Sequence, residues 1–136
     1  MIATVLDSGP LIAAFDKSDD RHADCAPFLA KLTGRRLLPS PVFTEVCWAF
    51  EATPRVERAF VEEVALGTFE LVQLTTEDLH RIGELISKYA DFPLGAADAS
   101  VVAVAERRGV ARVATLDHRH FRAIKPAHVP ALTLLP

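Results

Sequence analysis

Asp7, Glu45, Asp98 and Asp117 lie far apart in the sequence but in equivalent settings, at the end of an apolar run or near the start of a helix. Parallel strands all leave the core at one edge, and the helices that follow them begin there. Two acids after strands and two early in helices should therefore share a pocket. Four carboxylates in one place raise each other's pKa unless cations neutralise them. Ligation by oxygen alone suits Mg²⁺ or Mn²⁺ rather than zinc. One or two such ions polarise a phosphoryl oxygen and activate water, so the chemistry implied is phosphodiester hydrolysis.

Plainer roles stand beside these. Asp98 could act only as an N-cap or dipole partner for its helix. Ser8 reads first as a helix N-cap that also donates to Asp7, and Thr115 as either a strand-end β-former or a site residue. Asp91, before Phe92-Pro93, suits a solvated turn better than the acid group. His118 and His120 invite a zinc reading, but a spacing of two does not put both on one helical face, and no third nitrogen or sulfur ligand is evident. His120 fits a surface turn or a phosphate contact instead. Arg35 with Arg36, Arg107 with Arg108 and Arg112, and Arg119 with Arg122 are candidate phosphate contacts as well as ordinary solvated ends of elements. Arg119 and Arg122 stand nearest the acids.

The elements that must carry these residues are marked along the chain. Ile2–Leu6 is aliphatic without alternation, as in a strand buried on both faces. A helix follows through Leu11–Phe15, then a polar turn, a helix His22–Leu32 containing Pro27, a stop at Gly34 and a strand Arg36–Pro39. Ser40-Pro41 and Thr53-Pro54 each read as a cap followed by a first-turn proline, opening helices Val42–Phe50 and Arg55–Leu66. Phe69–Leu74 is a third strand. An amphipathic helix from Thr75-Thr76 to Tyr89 follows, with Leu79, Ile82, Leu85 and Ile86 on one face. In Leu94–Gly109 every side chain from Ala99 to Ala105 is small or apolar except Ser100, so this helix must be buried nearly all round. Arg107, Arg108 and Gly109 mark its end. Ala111–Thr115 is a fourth strand, His118–Phe121 a short turn, and Val129–Pro136 supplies a last edge strand. The pattern predicts a three-layer α/β/α sandwich with a mostly parallel central sheet of four to five short strands, in one domain over residues 1–136.

Bulk properties agree. The chain has 136 residues, half of them hydrophobic, enough for one core and too few for two comfortable domains. Mean hydropathy is positive, +0.21, yet no run approaches the roughly 18 apolar residues of a membrane span. The amino terminus has no basic lead and reads as a strand rather than a signal peptide. Cys25 and Cys47 form no disulfide framework or zinc motif, which fits a reducing, cytoplasmic setting. With a net charge of -3, any polyanion must be met by local basic patches or a bound metal.

Asp7-Ser8 after the first strand, Ser40-Pro41-x-x-x-Glu45, Gly95-x-x-Asp98-Ala99, and Thr115-Leu116-Asp117 followed by Phe121 resemble the four acidic motifs of the PIN-domain ribonucleases, and above all the VapC toxins of toxin-antitoxin pairs. The resemblance covers essentially the whole chain, including the Leu132–Pro136 ending. It implies a Mg²⁺- or Mn²⁺-dependent endoribonuclease acting on structured RNA such as tRNA or rRNA, with Asp7, Glu45, Asp98 and Asp117 as catalytic, metal-binding acids and Ser8 and Thr115 as polar support. It further implies homodimerisation and inhibition by a small VapB-type antitoxin. The antitoxin would lie in a groove formed partly by the helices of Trp48, Phe50 and Phe60, and often offers a basic residue to the acids. Many relatives carry a further acid just before the phenylalanine after the last motif, where this chain has His120 in a segment one residue longer. A fifth carboxylate is missing, and one ion or two both stay open.

A competing expectation is a catalytically weak or inert PIN-like module that binds RNA or protein without cutting. Other parallel α/β folds with an aspartate after the first strand fit less well. A phosphoacceptor receiver needs paired acids there and a lysine after a late strand, where Lys125 is poorly placed. A haloacid-dehalogenase-type phosphatase needs a second acid two residues after Asp7, and neither fold explains Glu45.

Overall fold

The computed structural model describes residues 2–136. Its elements run β1 (Ala3–Leu6), α1 (Ser8–Phe15), α2 (His22–Lys31), β2 (Arg35–Pro39), α3 (Ser40–Ala49), α4 (Pro54–Ala65), β3 (Glu70–Val72), α5 (Thr76–Lys88), α6 (Ala96–Arg108), β4 (Arg112–Ala114), α7 (His118–Ala123) and β5 (Thr133–Leu135). The strands form one sheet in the order β3-β2-β1-β4-β5, with every neighbouring pair parallel. All four residues of β1 are buried. Because successive strand residues point to opposite faces, that pattern requires cover on both sides, the three-layer arrangement the sequence implies.

The order of the strands decides where a site can form. From β1 the chain moves outward to β2 and β3, then crosses back to place β4 on the other side of β1. At such a reversal the connections after the two adjacent strands diverge to opposite faces and leave a crevice beyond their carboxyl ends. Asp7 follows β1 and Thr115-Leu116-Asp117 follows β4, so both strand-end acids flank that crevice.

Helix α6 is the centre of the packing. Ala99–Ala105 are all buried, two turns with no solvent face, and the helix lies against β1, β2 and β4 beneath α3 and α5. The one polar residue in that stretch, Ser100, donates to the Ala97 carbonyl at 2.6 Å and so needs no outside partner. Arg107 and Arg108 in the last turn pair with Asp78 and Glu70, and Gly109 caps the helix. Phe60 is the sole buried residue of α4. It meets Phe15 edge-on at 5.4 Å and Phe43 stacked at 5.8 Å, and that cluster fastens α4 to α1 and α3.

Local differences from the sequence expectation are small and have causes. Helix α1 starts at Ser8 itself and runs to Phe15, and Pro10 in its first turn removes no intrahelical bond. Its cap position is Asp7, not Ser8. Likewise α3 begins at Ser40 with Pro39 before it, so Ser40 is the first helical residue rather than the cap. Thr75 does cap α5, exchanging hydrogen bonds with Asp78 in a capping box. On α5 the buried stripe is Asp78, Ile82 and Leu85, while Leu79 and Ile86 fall to its side and are 58% and 41% exposed. Strand β3 is cut to Glu70–Val72. Among the described residues no helix is long and apolar enough to cross a membrane.

Candidate active site

Asp7 follows β1 with extended backbone, φ -91° and ψ 168°, and its amide donates to the Ala114 carbonyl at 2.9 Å, locking it to β4. The residue is only 5% exposed. One carboxylate oxygen, Oδ2, accepts the Thr115 hydroxyl at 2.7 Å, and the other, Oδ1, is buried with no hydrogen-bond partner among the described residues. Burial pushes its pKa up to about 6, with Asp98 and Glu45 adding to the rise against the Thr115 hydroxyl and the Ser8 amide.

Asp98 sits in the first turn of α6, after Gly95 at the cap position. Its carboxyl is also raised, by partial burial first and then by Glu45 and Asp117, while His120 and the Gly95 amide work the other way. Glu45, one turn into α3, is partly buried, and its charge bears on both Asp7 and Asp98. Asp117 bears on Asp98. Asp7 thus feels Asp98 and Glu45, and Asp98 feels Glu45 and Asp117. Among the described residues, however, no three His, Cys, Asp or Glu side chains stand at the spacing of a ready-made ion shell.

A hydrogen-bond relay joins two of the acids. Thr115 donates to Asp7 and accepts from the Asp117 amide at 2.9 Å, so one hydroxyl serves both strand ends. Asp117 caps α7 by accepting the His120 amide at Oδ1, 3.1 Å, and its Oδ2 lies 2.9 Å from His120 Nδ1. The other ring nitrogen of His120 lies 3.1 Å from the Pro93 carbonyl, and the ring packs on Phe92 with centroids 4.4 Å apart.

His120 is therefore engaged on both nitrogens instead of standing free for a phosphate. The loop residues Phe92 and Pro93 form a part of the site that sequence reading missed, since nothing local pairs residue 93 with residue 120. Ser8 starts α1 without a side-chain cap, so its expected cap role is replaced by an amide that faces the Asp7 charge. Asp91 is exposed in the loop. Arg35, Arg107 and Arg108 are drawn into pairs with Glu70 and Asp78, and Arg36 donates to the Leu32 carbonyl. Arg119 and Arg122 are exposed on α7 and have no ion pair among the described residues.

The donor set fits a hard dication. Every side chain in the acid group offers carboxylate oxygen, the one nearby imidazole is occupied, and the deepest carboxylate holds an unpartnered oxygen that would otherwise be costly to bury.

A parallel α/β sheet with this crevice and these acids defines a PIN domain. The sequence model of that domain matches residues 4–125, and the chain belongs to the PIN family. It is 28% identical over 134 residues to ribonuclease VapC26 of Mycobacterium tuberculosis, covering 97% of this chain and 99% of the relative. Among solved structures it resembles Mycobacterium tuberculosis VapC20, described as a sarcin-ricin-loop-cleaving toxin, with a TM-score of 0.81 at 15% identity over 96% of this chain and 99% of that one. It also resembles a chain of the DNA-bound VapBC of Salmonella typhimurium, with a TM-score of 0.71 at 22% identity over 98% of this chain and 97% of that one.

Proposed function

We propose that the chain is a divalent-metal-dependent endoribonuclease, the toxin of a VapBC-type pair. The observation that carries this reading is the buried Asp7 carboxylate, with one oxygen unpartnered and two further acids acting on it. Asp7, Glu45, Asp98 and Asp117 are the residues to hold Mg²⁺ or Mn²⁺. When bound, such an ion polarises a phosphoryl oxygen and makes a hydroxide-like nucleophile from water at neutral pH. Thr115 fixes the rotamer of Asp7, and the α6 amino terminus fixes Asp98. Arg119 and Arg122 bind flanking phosphates of the RNA.

The VapC26 relationship, which spans nearly the whole of both chains, supports ribonuclease activity. A VapB-type antitoxin is the matching partner. A groove of about 510 Å³ between α1, α3 and α4 is lined by Ile12, Phe15, Phe50 and Val56 together with Asp16, Lys17 and Arg55, and Trp48 on α3 is 72% exposed. Apolar side chains with charges of both signs at their edge suit an amphipathic peptide. A homodimer is part of the same reading.

The test is cleavage of structured RNA by purified chain with Mg²⁺ or Mn²⁺ and with EDTA. Cleavage by the wild type with metal, and none by Asp98→Asn, is expected; equal cleavage by both would overturn the proposal. The alternative, a PIN-like module that binds without cutting, is favoured by the absence of a ready-made ion shell among the described residues. It predicts RNA or partner binding with no cleavage under any metal.

A further inference from the structure

Phe92 has no task in the core. Among the described residues, every phenylalanine but this one is either buried in the core or packed against it. Phe92 is only partly buried, and its ring contact is with His120, the centroids 4.4 Å apart and the planes tilted by 33°. The His120 side chain is itself 31% exposed. The pair is also held stiffly. His120 Nε2 lies 3.1 Å from the Pro93 carbonyl and Nδ1 lies 2.9 Å from Asp117 Oδ2, so the ring cannot turn without losing both. The same loop is strapped to the end of α7 a second time, where the Tyr89 hydroxyl accepts the Lys125 amide at 2.8 Å. A surface fixed in advance loses little side-chain entropy when a ligand settles on it.

The place of the pair in the fold selects the ligand. Phe92 lies in the loop leading into α6, whose first turn carries Asp98, and His120 follows Asp117 by three residues. The rings therefore stand at the rim of the crevice between two of its acids, and the His120 charge acts on Asp98. Arg119 and Arg122, both exposed, belong to the same short helix as His120. Aromatic rings beside cations match a nucleotide turned out of its helix, with the base stacked on the rings and the phosphates on the arginines. A base paired inside an A-form duplex offers no such face. We propose that Phe92 and His120 form a base-stacking platform, a pair of positioning residues that seats one unpaired base of the RNA beside the phosphate to be cut. This rests on the nuclease reading above and adds to it a requirement for a loop, bulge or single strand.

The experiment is fluorescence anisotropy on the full-length chain in EDTA, so that no strand is cut. The probes are an end-labelled oligoadenylate of about twelve nucleotides and the same strand with abasic riboses throughout. The proteins are the wild type, Phe92→Leu, which keeps apolar bulk against His120 without a π-face, and Phe92→Tyr, which keeps the ring. The wild type should bind oligoadenylate about fivefold or more tighter than the abasic strand. Phe92→Leu should lose about fivefold or more on oligoadenylate and nothing on the abasic strand, with an unchanged salt slope because no charge is removed. Phe92→Tyr should stay within about twofold of the wild type. A phenylalanine that merely anchored the loop would, on replacement, weaken both strands alike and flatten the salt slope by displacing Arg119 and Arg122. That pattern, equal binding of oligoadenylate by wild type and Phe92→Leu, or no binding by the wild type would each overturn the inference. Cleavage of structured RNA by the same wild-type preparation with Mg²⁺ separates the two readings. Cleavage alongside any of those results removes the platform alone, and neither binding nor cleavage removes both.

Discussion

The Thr115 hydroxyl donates to Asp7 Oδ2 at 2.7 Å across 108 positions of sequence, and the same oxygen accepts the Asp117 amide. Its removal leaves two polar groups without partners at once. Thr115→Val, which keeps shape and β-propensity, should therefore destabilise the chain by about 1–3 kcal/mol at pH 7 and push Asp7 further up. Thr115→Ser should stay near wild type. Urea unfolding of the three proteins checks this, and equal midpoints for Val and Thr would show the relay to be energetically idle.

Asp7 also sets a pH dependence. Its folded pKa is raised to about 6 from an ordinary 3.8, chiefly by burial. Below the ordinary value both states are protonated and no penalty exists. As pH rises between these values the unfolded state gives up its proton first, so stability falls, and above about 6 the loss levels off at about 3 kcal/mol. Asp98, shifted the same way, adds to the trend. Asp78 works oppositely, because its bonds to Arg107 and Thr75 outweigh burial and hold its carboxyl low; its contribution fades only as pH drops below the ordinary range. Thermal melts in EDTA from pH 4 to 7 should thus slope downward for the wild type and less so for Asp7→Asn. Millimolar Mg²⁺ should restore stability more at pH 7 than at pH 5. Parallel curves for the two proteins would refute the assignment.

Arg119 and Arg122 carry the electrostatic part of RNA binding in this scheme, being exposed, next to the acids and free of ion pairs among the described residues. Each phosphate neutralised by an arginine contributes about 0.7–0.9 to the slope of log affinity against log salt. Replacing both with Gln should reduce RNA affinity at low salt, leave the melting temperature unchanged, and flatten the salt dependence by about 1.5. Filter binding over a salt series on the Asp98→Asn background, which prevents cleavage, makes the measurement. An unchanged slope would move the phosphate track elsewhere.

The acids were legible in the sequence for a reason that does not extend to their surroundings. Asp7 and Asp117 follow runs of buried strand, and Asp98 begins a stretch too apolar to have a solvent face, so topology alone brings three of them to one edge. Glu45 follows from the Ser40-Pro41 helix start. The partners of His120 did not follow, because the Pro93 carbonyl and the Phe92 ring reach it through a loop whose course no periodicity encodes. The cap positions shifted by one residue: Ser8 and Ser40 carry the usual capping side chain, but each helix starts one residue earlier, so that Asp7 and Pro39 take the cap positions. On α5, helical spacing placed Leu79 and Ile86 with the core set, whereas burial of the Asp78–Arg107 pair against α6 rotates them outward.

Two glycines with the same backbone conformation separate strain from crowding, and only one of them bears on the site. Gly34 and Gly67 have φ of +84° and +87°. A Cβ on Gly67 meets nothing within 4 Å, so Gly67→Ala should cost only the left-handed strain of an L residue, about 1–2 kcal/mol. A Cβ on Gly34 would lie 2.4 Å from the Ile2 carbonyl oxygen, which also accepts the Arg35 amide at 2.9 Å. Backbone cannot swing aside as a flexible side chain does, so Gly34→Ala must displace the start of β1 from β2 and should cost about 3 kcal/mol or more. Since β1 has only four residues and Asp7 follows it directly, that displacement reaches the carboxylate. Gly34→Ala should therefore weaken Mn²⁺ binding at a temperature where the variant is still folded, whereas Gly67→Ala should not. Equal unfolding free energies for the two variants would show that β1 yields freely at its start, and the rigid seating of Asp7 would then have to come from β4 alone.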